Sequence, residues 1–410
     1  MNKRSIAEVA VHGKRVLMRV DFNVPLEDGE IADDMNLRLA LPSIRNVLDR
    51  GGRLILLTHL GVPEGRGFEP ALSLTPCAQR LRELLHRPVQ LAPNCVGPQV
   101  GLMVQQLRNG DLLMLENLRF HRGEIGNEES FAQELAEWGD VYCNEAFGVS
   151  HRQHASLDAL PRLMWERPRV AGLQLIREVT ALKAVCEHPL RPSVLVIGGA
   201  HAPEKCHAVL GLRDCVDTVL IGGVVGHTFL AAERKSVGRT EADPHDAMAA
   251  ERALEAAVSA RAKVMLPNDH VCATQISGFA DTHVYAEVIP SGWYGLDIGP
   301  RTIVAYAEVI RHARTVFWTG PLGAWETRPF DVGTKMIALA AAHAVLINHA
   351  QVIIAGGSLR LALERFGLDR SMTHLNSGGS ATLAMLEHQP FPSLDALEER
   401  NESLSTTTHG

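Results

Sequence analysis

The sequence predicts an α/β protein of two lobes, each a largely parallel sheet flanked by helices, with a helical connector between them. Short apolar runs suited to buried strands alternate with stretches that repeat apolar residues at helical spacing. This alternation occurs twice, on either side of one amphipathic helix. The length of 410 residues is sufficient for two domains of ordinary size.

The first lobe is predicted from four strands and the helices between them. The strands are expected at Arg15–Val20, Arg53–Thr58, Leu112–Leu115 and Val141–Asn144. Continuous apolar runs of this kind are typical of parallel strands that are buried on both faces. The helices are expected at Asn36–Arg50, Leu74–His86, Val100–Arg108 and Glu128–Trp138.

The second lobe repeats this pattern after the connector. Its strands are expected at Ser193–Ile197, Thr218–Ile221, Lys263–Leu266, Thr315–Trp318 and Gln351–Ile354. The connector has its apolar residues on one helical face and ends at the breaker sequence HPLRP. We therefore predict an N-terminal lobe at 1–169, a connecting helix at 170–187, a C-terminal lobe at 188–388 and a C-terminal segment at 389–410.

Composition excludes several classes of protein. Hydrophobic residues make up 46% and charged residues 21% of the chain, which is the balance of a globular protein. The net charge of −7 disfavours nucleic acid as a partner. The seven scattered cysteines show no CxxC spacing and indicate reduced thiols. Without a secretory signal or a membrane-spanning apolar run, we expect a cytoplasmic protein that has no membrane partner.

Polar side chains follow each predicted strand of the first lobe. Asp21 and Asn23 follow the first strand, His59 the second, Arg119 the third and Arg152 the fourth. The carboxyl ends of parallel strands line one crevice, so these side chains are expected to converge. A local basic cluster in an acidic chain indicates a small anionic ligand with phosphate or carboxylate groups. Taken singly, each residue could equally be an ordinary solvated or salt-bridged side chain.

Glycines follow nearly every strand of the second lobe. The pairs are Gly198 with Gly199, Gly222 with Gly223, Gly320 with Gly323, Gly356 with Gly357, and Gly378 with Gly379. Glycines let backbone amides approach a phosphate chain, and the helix N-termini that follow favour negative charge. The pattern predicts a nucleotide lobe without a P-loop sequence, although glycines that only turn the chain remain an alternative. An anion lobe and a nucleotide lobe together suit phosphoryl transfer with domain closure.

Long motifs in order make the chain resemble the phosphoglycerate kinase family. They are RVDFNVPLEDG, THLGVPEGRG, ENLRFHRGE, NEAFGVSHRQHAS, VAGLQLIREV, GWYGLDIGPRT and WTGPLGAWE. The resemblance implies two α/β lobes, with 3-phosphoglycerate on the first and magnesium ATP or ADP on the second. It also implies phosphoryl transfer to the substrate carboxylate, and a C-terminal segment (PFPSLDAL) that packs on the N-terminal lobe. A two-lobed closing enzyme can act as a monomer, which is our expectation.

The resemblance also implies roles for individual positions. Substrate-binding positions are Asp21, Asn23, Asn36, His59, Leu60, Gly61, Val62, Arg119 and Arg152. Nucleotide-binding positions are Lys205, Gly222, Gly223, Pro321, Glu326, Gly356, Gly357 and Ser358. Lys205 corresponds to a lysine that meets nucleotide phosphates, and Glu326 to an acidic residue near the ribose. The catalytic positions are Asn36, His201 and Lys205, and Mg²⁺ is expected with the nucleotide although its protein ligands are not identified.

Three positions that serve the transferring group or the magnesium ion depart from the family pattern. Asn36 replaces an arginine that holds the transferring phosphoryl group, and His201 replaces the lysine of a GGAK motif. Ser358 replaces an aspartate that serves the magnesium ion. One arginine aimed at the transferring group can contribute about 10³ to 10⁵ in rate. The sequence therefore predicts weakened catalysis unless another group compensates.

Further departures lie near the same ligands, and nearby arginines are possible replacements. Val62, Thr319 and Glu145 replace an arginine, an asparagine and an aspartate of the family. Arg38 can replace the missing arginine at position 36 only if that segment is not helical, because residues i and i+2 do not share a helix face. Arg66 could reach the space beside Val62.

Three hypotheses remain open from the sequence. The first is a phosphoglycerate kinase, because most substrate and nucleotide positions are retained. The second is a related kinase for another carboxylate or phosphate compound, because Asn36 and Val62 alter the substrate end. The third is a non-catalytic binding or regulatory protein, because charge is lost at Asn36, His201 and Ser358.

Overall fold

The computed structural model describes residues 1–240 and 243–400. The chain divides into two units, one formed by Met1–Thr180 with 390–400 and the other by Ala181–Gln389. The predicted lobes at 1–169 and 188–388 lie within these two units. The predicted C-terminal segment is described up to residue 400, and its residues 401–410 lie outside the described residues.

A parallel sheet of six strands forms the centre of the first unit. The described strands of the whole unit are β1 (Arg15–Arg19), β2 (Leu26–Glu27), β3 (Glu30–Ile31), β4 (Arg53–Leu57), β5 (Gln90–Leu91), β6 (Leu112–Met114), β7 (Val141–Asn144) and β8 (Arg169–Ala171). The described sheet has the order β5-β6-β4-β1-β7-β8, while β2 and β3 form a separate antiparallel hairpin. All four predicted strands are present. The short edge strands β5 and β8 lack the long apolar run on which the prediction relied.

Helices cover the faces of this sheet. They are α1 (Met35–Asp49), α2 (Thr75–Leu85), α3 (Pro98–Gln106), α4 (Arg122–Ile125), α5 (Glu129–Ala136), α6 (Ala159–Leu163) and α7 (Leu173–Cys186). Leu37, Ile44 and Val47 of α1 are buried in a core that includes Val16 and Leu54 of the central strands. This burial of apolar area is the main stabilising contribution of α1.

The connecting helix α7 is held at its N-terminus by a buried carboxylate. Glu145 accepts hydrogen bonds of 3.1 Å from the backbone N–H groups of Gln174 and Leu175. The first turn of a helix has unpaired N–H groups, and a carboxylate there satisfies them. Glu145, which replaces an aspartate of the family motif, is therefore a cap of α7.

The described C-terminal residues pack on the first unit. Helix α15 (Pro392–Asp395) places Ser393 where its Oγ donates a hydrogen bond of 2.6 Å to the backbone oxygen of Ser150. Glu398 accepts a hydrogen bond of 3.0 Å from Arg4. Residues 390–400 thus belong to the first unit by direct contacts with it.

The second unit contains another six-stranded parallel sheet and a smaller antiparallel one. Its strands are β9 (Ser193–Ile197), β10 (Thr218–Ile221), β11 (Lys263–Met265), β12 (Asp269–Ala273), β13 (His283–Ala286), β14 (Tyr294–Ile298), β15 (Thr315–Thr319), β16 (Gln351–Ala355) and β17 (His374–Asn376). In the described residues the parallel sheet has the order β11-β10-β9-β15-β16-β17, and the antiparallel sheet the order β13-β12-β14. The antiparallel sheet was not predicted, because β13 is largely exposed and lacks an apolar run.

Helices again cover the larger sheet. They are α8 (Ala202–Leu212), α9 (Gly223–Ala232), α10 (Pro244–Ser259), α11 (Pro300–Arg311), α12 (Val332–Asn348), α13 (Gly357–Phe366) and α14 (Ser380–Leu386). Trp318 and Tyr306 are fully buried in the core between the sheet and helices α11 and α12. Throughout residues 1–240 and 243–400, each helix is too short or too polar to span a bilayer. The predicted fold class is confirmed in both units.

Candidate functional sites

In the first unit, charged side chains gather where the central strands end. Asp21 follows β1, His59 follows β4 and Arg119 follows β6, and these strands are neighbours in the sheet. Arg152 follows β7 and lies close enough to lower the pKa values of His59 and Arg119. The predicted convergence of these side chains is therefore present in the structure.

A third arginine, which the sequence analysis did not select, completes this cluster. Arg19 is the last residue of β1 and its side chain is fully buried. Its Nη2 lies 3.2 Å from Nδ1 of His59, and its Nη1 donates to the backbone oxygen of Val20. We name Arg19, Arg119 and Arg152 the arginine cluster. Each of the three guanidinium nitrogens of Arg19 has a partner within the protein, as a buried guanidinium requires. The cluster brings three positive charges together, which favours an anionic ligand.

A buried acid positions Arg19 through a serine. Nε of Arg19 donates a hydrogen bond of 2.9 Å to Ser156 Oγ. The same hydroxyl donates one of 2.6 Å to Glu124, and the Ser156 backbone N–H donates a second one of 2.8 Å to that carboxylate. The serine thus links the Glu124 carboxylate to the Arg19 guanidinium and fixes its orientation without direct contact between the two charges.

The electrostatics of this site are dominated by positive charge. Burial and the nearby arginines hold the pKa of His59 well below its ordinary value and lower that of His154 to about 3, so both rings are neutral. Burial, together with Arg19 and Arg152, lowers the pKa of Arg119 to about 10. Burial raises the pKa of Asp21, although the arginine cluster opposes that change. An anion bound here would relieve the repulsion among the three guanidinium groups.

Backbone and amide groups shape the edge of the site. Asn23 Oδ1 accepts a hydrogen bond of 2.8 Å from the Gly61 N–H, and the Gly61 oxygen accepts one of 2.7 Å from Arg119 Nη1. The Leu60 side chain is buried, and its backbone oxygen accepts a bond of 2.8 Å from an asparagine side chain. Val62 is 86% exposed. The segment after β4 is thus held in place by contacts of Asn23, Leu60 and Gly61, while Val62 projects into solvent.

Asn36 takes no part in the hydrogen bonds described above for this site. It is the second residue of α1, and among the described residues no hydrogen bond joins its side chain to the arginine cluster. Arg38 lies in the same helix and bonds Asp34 at 2.7 Å, so the non-helical condition for its replacing position 36 is not met. Arg66 is highly exposed and pairs with Glu64 at 3.0 Å. Neither arginine occupies the place of the missing one.

In the second unit, the glycine-rich strand ends line a cavity of about 450 Å³. The predicted residues that line it are His201, Lys205, Gly223, Pro321, Glu326, Gly356, Gly357 and Ser358. Gly222 does not line the cavity in the described structure; a Cβ at this position would lie 2.8 Å from Leu322 Cδ2. The structure therefore brings together all of the predicted nucleotide residues except Gly222, which packs behind the wall.

Two glycines in this wall have backbone conformations that favour glycine. Gly223 has φ +63°, and a Cβ there would lie 2.7 Å from the backbone nitrogen of Gly199. Gly356 has φ +99° and precedes the N-terminus of α13. These glycines bring the N-termini of α9 and α13 to the cavity, where unpaired N–H groups can bind phosphate oxygens.

Lysine and histidine at positions 205 and 201 differ in how they are held. Lys205 is partly buried, and its Nζ donates a hydrogen bond of 2.7 Å to Thr319 Oγ1. Burial lowers its pKa, while neighbouring Glu204 opposes that change. His201 is exposed at the N-cap of α8, and its side chain makes no capping hydrogen bond. Lys205 is thus held by a neighbouring side chain, whereas His201 is exposed.

Position 358 offers no carboxylate to a magnesium ion in this cavity. Magnesium in kinases is held by one or two carboxylates together with substrate phosphates. Ser358 offers a hydroxyl group, and the Asp297 carboxylate already accepts from the backbone N–H groups of Gly333 at 2.7 Å and Ile298 at 2.9 Å. Burial raises the pKa of Asp297 to about 8, which disfavours the charged ligand. Within the described ranges no group of three histidine, cysteine, aspartate or glutamate side chains could hold a metal.

The fold and the two sites define a class of protein. A basic site for a small anion in one α/β unit and a glycine-lined cavity with a lysine in the other are the parts of a phosphotransferase. Comparison with known proteins identifies the family within this class. The phosphoglycerate kinase family model matches residues 6–389, and the chain belongs to that family.

Individual relatives agree with this assignment. The phosphoglycerate kinase of Chloroherpeton thalassium is 42% identical over 97% of this chain and 99% of its own length. That of Chlorobaculum tepidum is 43% identical over 97% of this chain and 100% of its own. The solved phosphoglycerate kinase of Coxiella burnetii has a TM-score of 0.85 at 32% identity, covering 96% and 98% of the two chains. The chain is an enzyme of the phosphotransferase class, and the predicted family resemblance is confirmed.

Sequence reasoning missed several residues of the two sites. Arg19 could have been noticed as a cation that ends an apolar strand and begins the motif RVDFN. Glu124 and Ser156 end the motifs ENLRFHRGE and NEAFGVSHRQHAS, but their contact could not be predicted, because it joins residues 32 positions apart. His227 and His270, which line the cavity of the second unit, follow no recognisable motif.

Proposed function

We propose that this protein transfers a phosphoryl group reversibly between ATP and the carboxylate of 3-phosphoglycerate. The grouping of Arg19, Arg119 and Arg152 at the ends of neighbouring strands carries the proposal, because three guanidinium groups suit a phosphorylated acid. In the forward direction a carboxylate oxygen attacks the γ-phosphorus of ATP. The bond from that phosphorus to the β,γ-bridging oxygen breaks, and the products are an acyl phosphate and ADP.

The residues of the first unit bind and orient the acid. The arginine cluster holds the phosphate of the substrate, while Asp21 and Asn23 supply acceptors for its hydroxyl group. The neutral rings of His59 and His154 add hydrogen-bonding capacity without further charge. Binding in this unit fixes the carboxylate in position, which is a large part of phosphoryl-transfer catalysis.

The residues of the second unit bind the nucleotide. Lys205 and the N-termini of α9 and α13 hold the phosphates, and Glu326 accepts from a ribose hydroxyl group. We infer that Mg²⁺ accompanies the nucleotide phosphates, with no carboxylate at position 358 to hold it. Because the two ligands bind different units, we infer that the molecule closes during the reaction. We also infer a monomeric state and a cytoplasmic location.

The transferring group receives less positive charge from this chain than from a family member with the usual residues. Asn36 carries no charge, and His201 is an exposed imidazole. Arg38 and Arg66 are paired with acids of their own. We therefore infer phosphoglycerate kinase activity at a reduced rate, since charge stabilisation supplies most of the acceleration in this reaction.

The test is the formation of acyl phosphate by the purified protein. ATP, magnesium and 3-phosphoglycerate are supplied, and hydroxylamine traps the product as a hydroxamate. We expect the purified protein to turn over faster than a Lys205→Ala variant. With glycerate, which lacks the phosphate group, turnover should fall to background. Equal turnover by the two proteins would disprove the activity. Turnover with another phosphorylated acid but not with 3-phosphoglycerate would show that the substrate has changed.

A further inference from the structure

One irregular segment forms a large part of the cavity wall in the second unit. It follows β15, runs from Gly320 to Asp331 and ends where α12 begins. Residues 320–326 of this segment line the cavity. We name residues 320–331 the wall segment. Because it contains neither helix nor strand, its shape depends on its contacts with neighbouring elements.

The two ends of the wall segment are held by one buried side chain. Asp297 Oδ2 accepts a hydrogen bond of 2.7 Å from the N–H of Gly333, just beyond the segment. A Cβ at Gly323 would lie 2.3 Å from Asp297 Oδ1, so the start of the segment passes against the same carboxyl group. The N–H of Ala324 donates a bond of 2.8 Å to a backbone oxygen of β14. These contacts fix the ends of the wall segment and leave its middle to another partner.

That partner is Arg365, in the last turn of α13. Its Nη1 donates hydrogen bonds to two consecutive backbone oxygens, at 3.3 Å to Trp325 and at 3.0 Å to Glu326. A hydrogen bond from a charged donor is stronger than one between neutral groups. The contact to both oxygens also fixes the orientation of the peptide group between them. Arg365 therefore joins the middle of the wall segment to α13.

The side chain of Glu326 depends on this backbone contact. Glu326 is exposed and lines the cavity. Among residues 1–240 and 243–400, no other side chain forms an ion pair or a hydrogen bond with its carboxylate. A glutamate without a partner samples many rotamers, and binding a ligand costs it that freedom. The backbone at position 326 therefore determines which part of the cavity the carboxylate can reach.

Helix α13 connects two parts of the cavity wall. Its first residue, Gly357, lines the cavity, and the N–H groups of this end can bind phosphate oxygens. Arg365 lies eight residues further along the helix, which corresponds to about 12 Å at 1.5 Å per residue. A helix is rigid over this length. Through Arg365 it sets the distance between the phosphate-binding end and the backbone at Glu326.

We propose that Arg365 is a positioning residue for nucleotide binding, which directs the Glu326 carboxylate to the ribose by holding the backbone at Trp325 and Glu326. This inference rests on the proposed function, which places a nucleotide in the cavity and its ribose beside Glu326. Without Arg365, the contacts of Asp297 still hold the ends of the wall segment, while residues 325 and 326 are free to move. The expected consequence is a loss of ribose recognition in a protein that keeps its fold.

Calorimetry with two nucleotides tests the inference. The full-length protein is titrated with ADP and with 2′,3′-dideoxyadenosine 5′-diphosphate, which lacks both ribose hydroxyl groups. The unmodified protein should bind the dideoxy compound about tenfold more weakly, as for one hydrogen bond to a charged group. Arg365→Ala should bind ADP about fivefold more weakly and bind the two nucleotides within about twofold of each other. Arg365→Lys keeps a charged donor, and its preference should lie between those two values.

A matched control removes another arginine from the end of a helix. Arg311 is exposed in the last turn of α11, so Arg311→Ala loses the same favourable interaction with a helix C-terminus. The described hydrogen bonds of the wall segment do not include Arg311. Arg311→Ala should therefore keep the full preference for ADP.

A second comparison shows whether Arg365 acts through Glu326. Glu326→Ala should lose the preference for ADP by itself. In that background Arg365→Ala should weaken ADP binding by no more than about twofold, because two residues that serve one contact do not have additive effects. Fully additive effects would show that Arg365 acts independently of Glu326, and would overturn the inference.

Other outcomes would also overturn it. Full preference for ADP in a folded Arg365→Ala variant would do so, as would equal binding of the two nucleotides by the unmodified protein. If the alanine variant does not fold, Arg365→Gln replaces it, and full preference in that variant has the same meaning. A protein that loses its preference with Glu326→Ala but keeps it with Arg365→Ala loses only this inference. One that binds neither nucleotide loses the proposed function as well.

Discussion

The ammonium group of Lys205 and the hydroxyl group of Thr319 lie 2.7 Å apart, at the ends of two elements that flank the nucleotide cavity. Lys205 extends from α8, while Thr319 is the last residue of β15. The contact fixes a long side chain that would otherwise adopt many rotamers. Thr319, which replaces an asparagine of the family, therefore positions Lys205.

Removing the Thr319 hydroxyl group should weaken catalysis. In Thr319→Val the ammonium of Lys205 loses its partner, so we expect kcat/KM for ATP to fall about tenfold. Thr319→Ser keeps the hydroxyl group and should stay within about twofold of the unmodified enzyme. Steady-state kinetics of the three proteins provide the measurement, and equal values for the valine and serine variants would refute the positioning role.

Loss of the Ser156 hydroxyl group should affect the acid substrate but not the nucleotide. Ser156→Ala breaks the link between Glu124 and Arg19, so the guanidinium is less well oriented. We expect the KM for 3-phosphoglycerate to rise about fivefold to tenfold, as for one charge-assisted hydrogen bond. The KM for ATP in the same assays is the internal control, and parallel increases in both constants would point to general loss of structure instead.

Restoring the family residues should increase the rate. A variant with Asn36→Arg, His201→Lys and Ser358→Asp regains the two cations and the carboxylate that the family resemblance implies at these positions. An increase in kcat of about 10² or more is expected, because one such arginine alone can supply about 10³. Adding Lys205→Ala to this variant should remove most of the gain. No change in kcat would show that the departures at these positions do not limit the reaction.

The buried carboxyl group of Glu145 should make stability depend on pH. Burial raises its pKa from 4.5 to about 7, although the N–H groups of Leu175 and Gln174 oppose that rise. Between pH 4.5 and 7 the unfolded chain loses this proton while the folded chain keeps it, so stability falls as pH rises through that window. The shift corresponds to a loss of about 3 kcal/mol. Above pH 7 the contribution is constant.

The contribution of Glu145 can be isolated with one variant. Glu145→Gln keeps an acceptor at the start of α7 but does not titrate. The difference in unfolding free energy between this variant and the unmodified protein should therefore change between pH 4.5 and 7 and stay level above pH 7. Urea titrations at several pH values measure this difference. A difference that is independent of pH would show that the Glu145 carboxyl group titrates normally in the folded protein.

Local signals in the sequence predicted the regular elements accurately. The strand at 193–197 and the strand at 141–144 have the predicted bounds, because each is a continuous apolar run between breakers. The strand β16 was also expected, at Gln351–Ile354. The antiparallel sheet β13-β12-β14 was not predicted, because its stability depends on pairing between segments and only part of its surface is apolar.

The sequence alone determined the alternation of strands and helices, the place of the connecting helix and the family of this protein. Each of these follows from residues close together in the chain. Tertiary structure decided which groups contact one another in the interior. Examples are the buried guanidinium of Arg19 beside His59, the capping role of Glu145, and the two histidines in the wall of the cavity of the second unit. Burial and neighbouring charge set the ionisation and hydrogen bonding of a side chain, and both arise only when distant segments pack together.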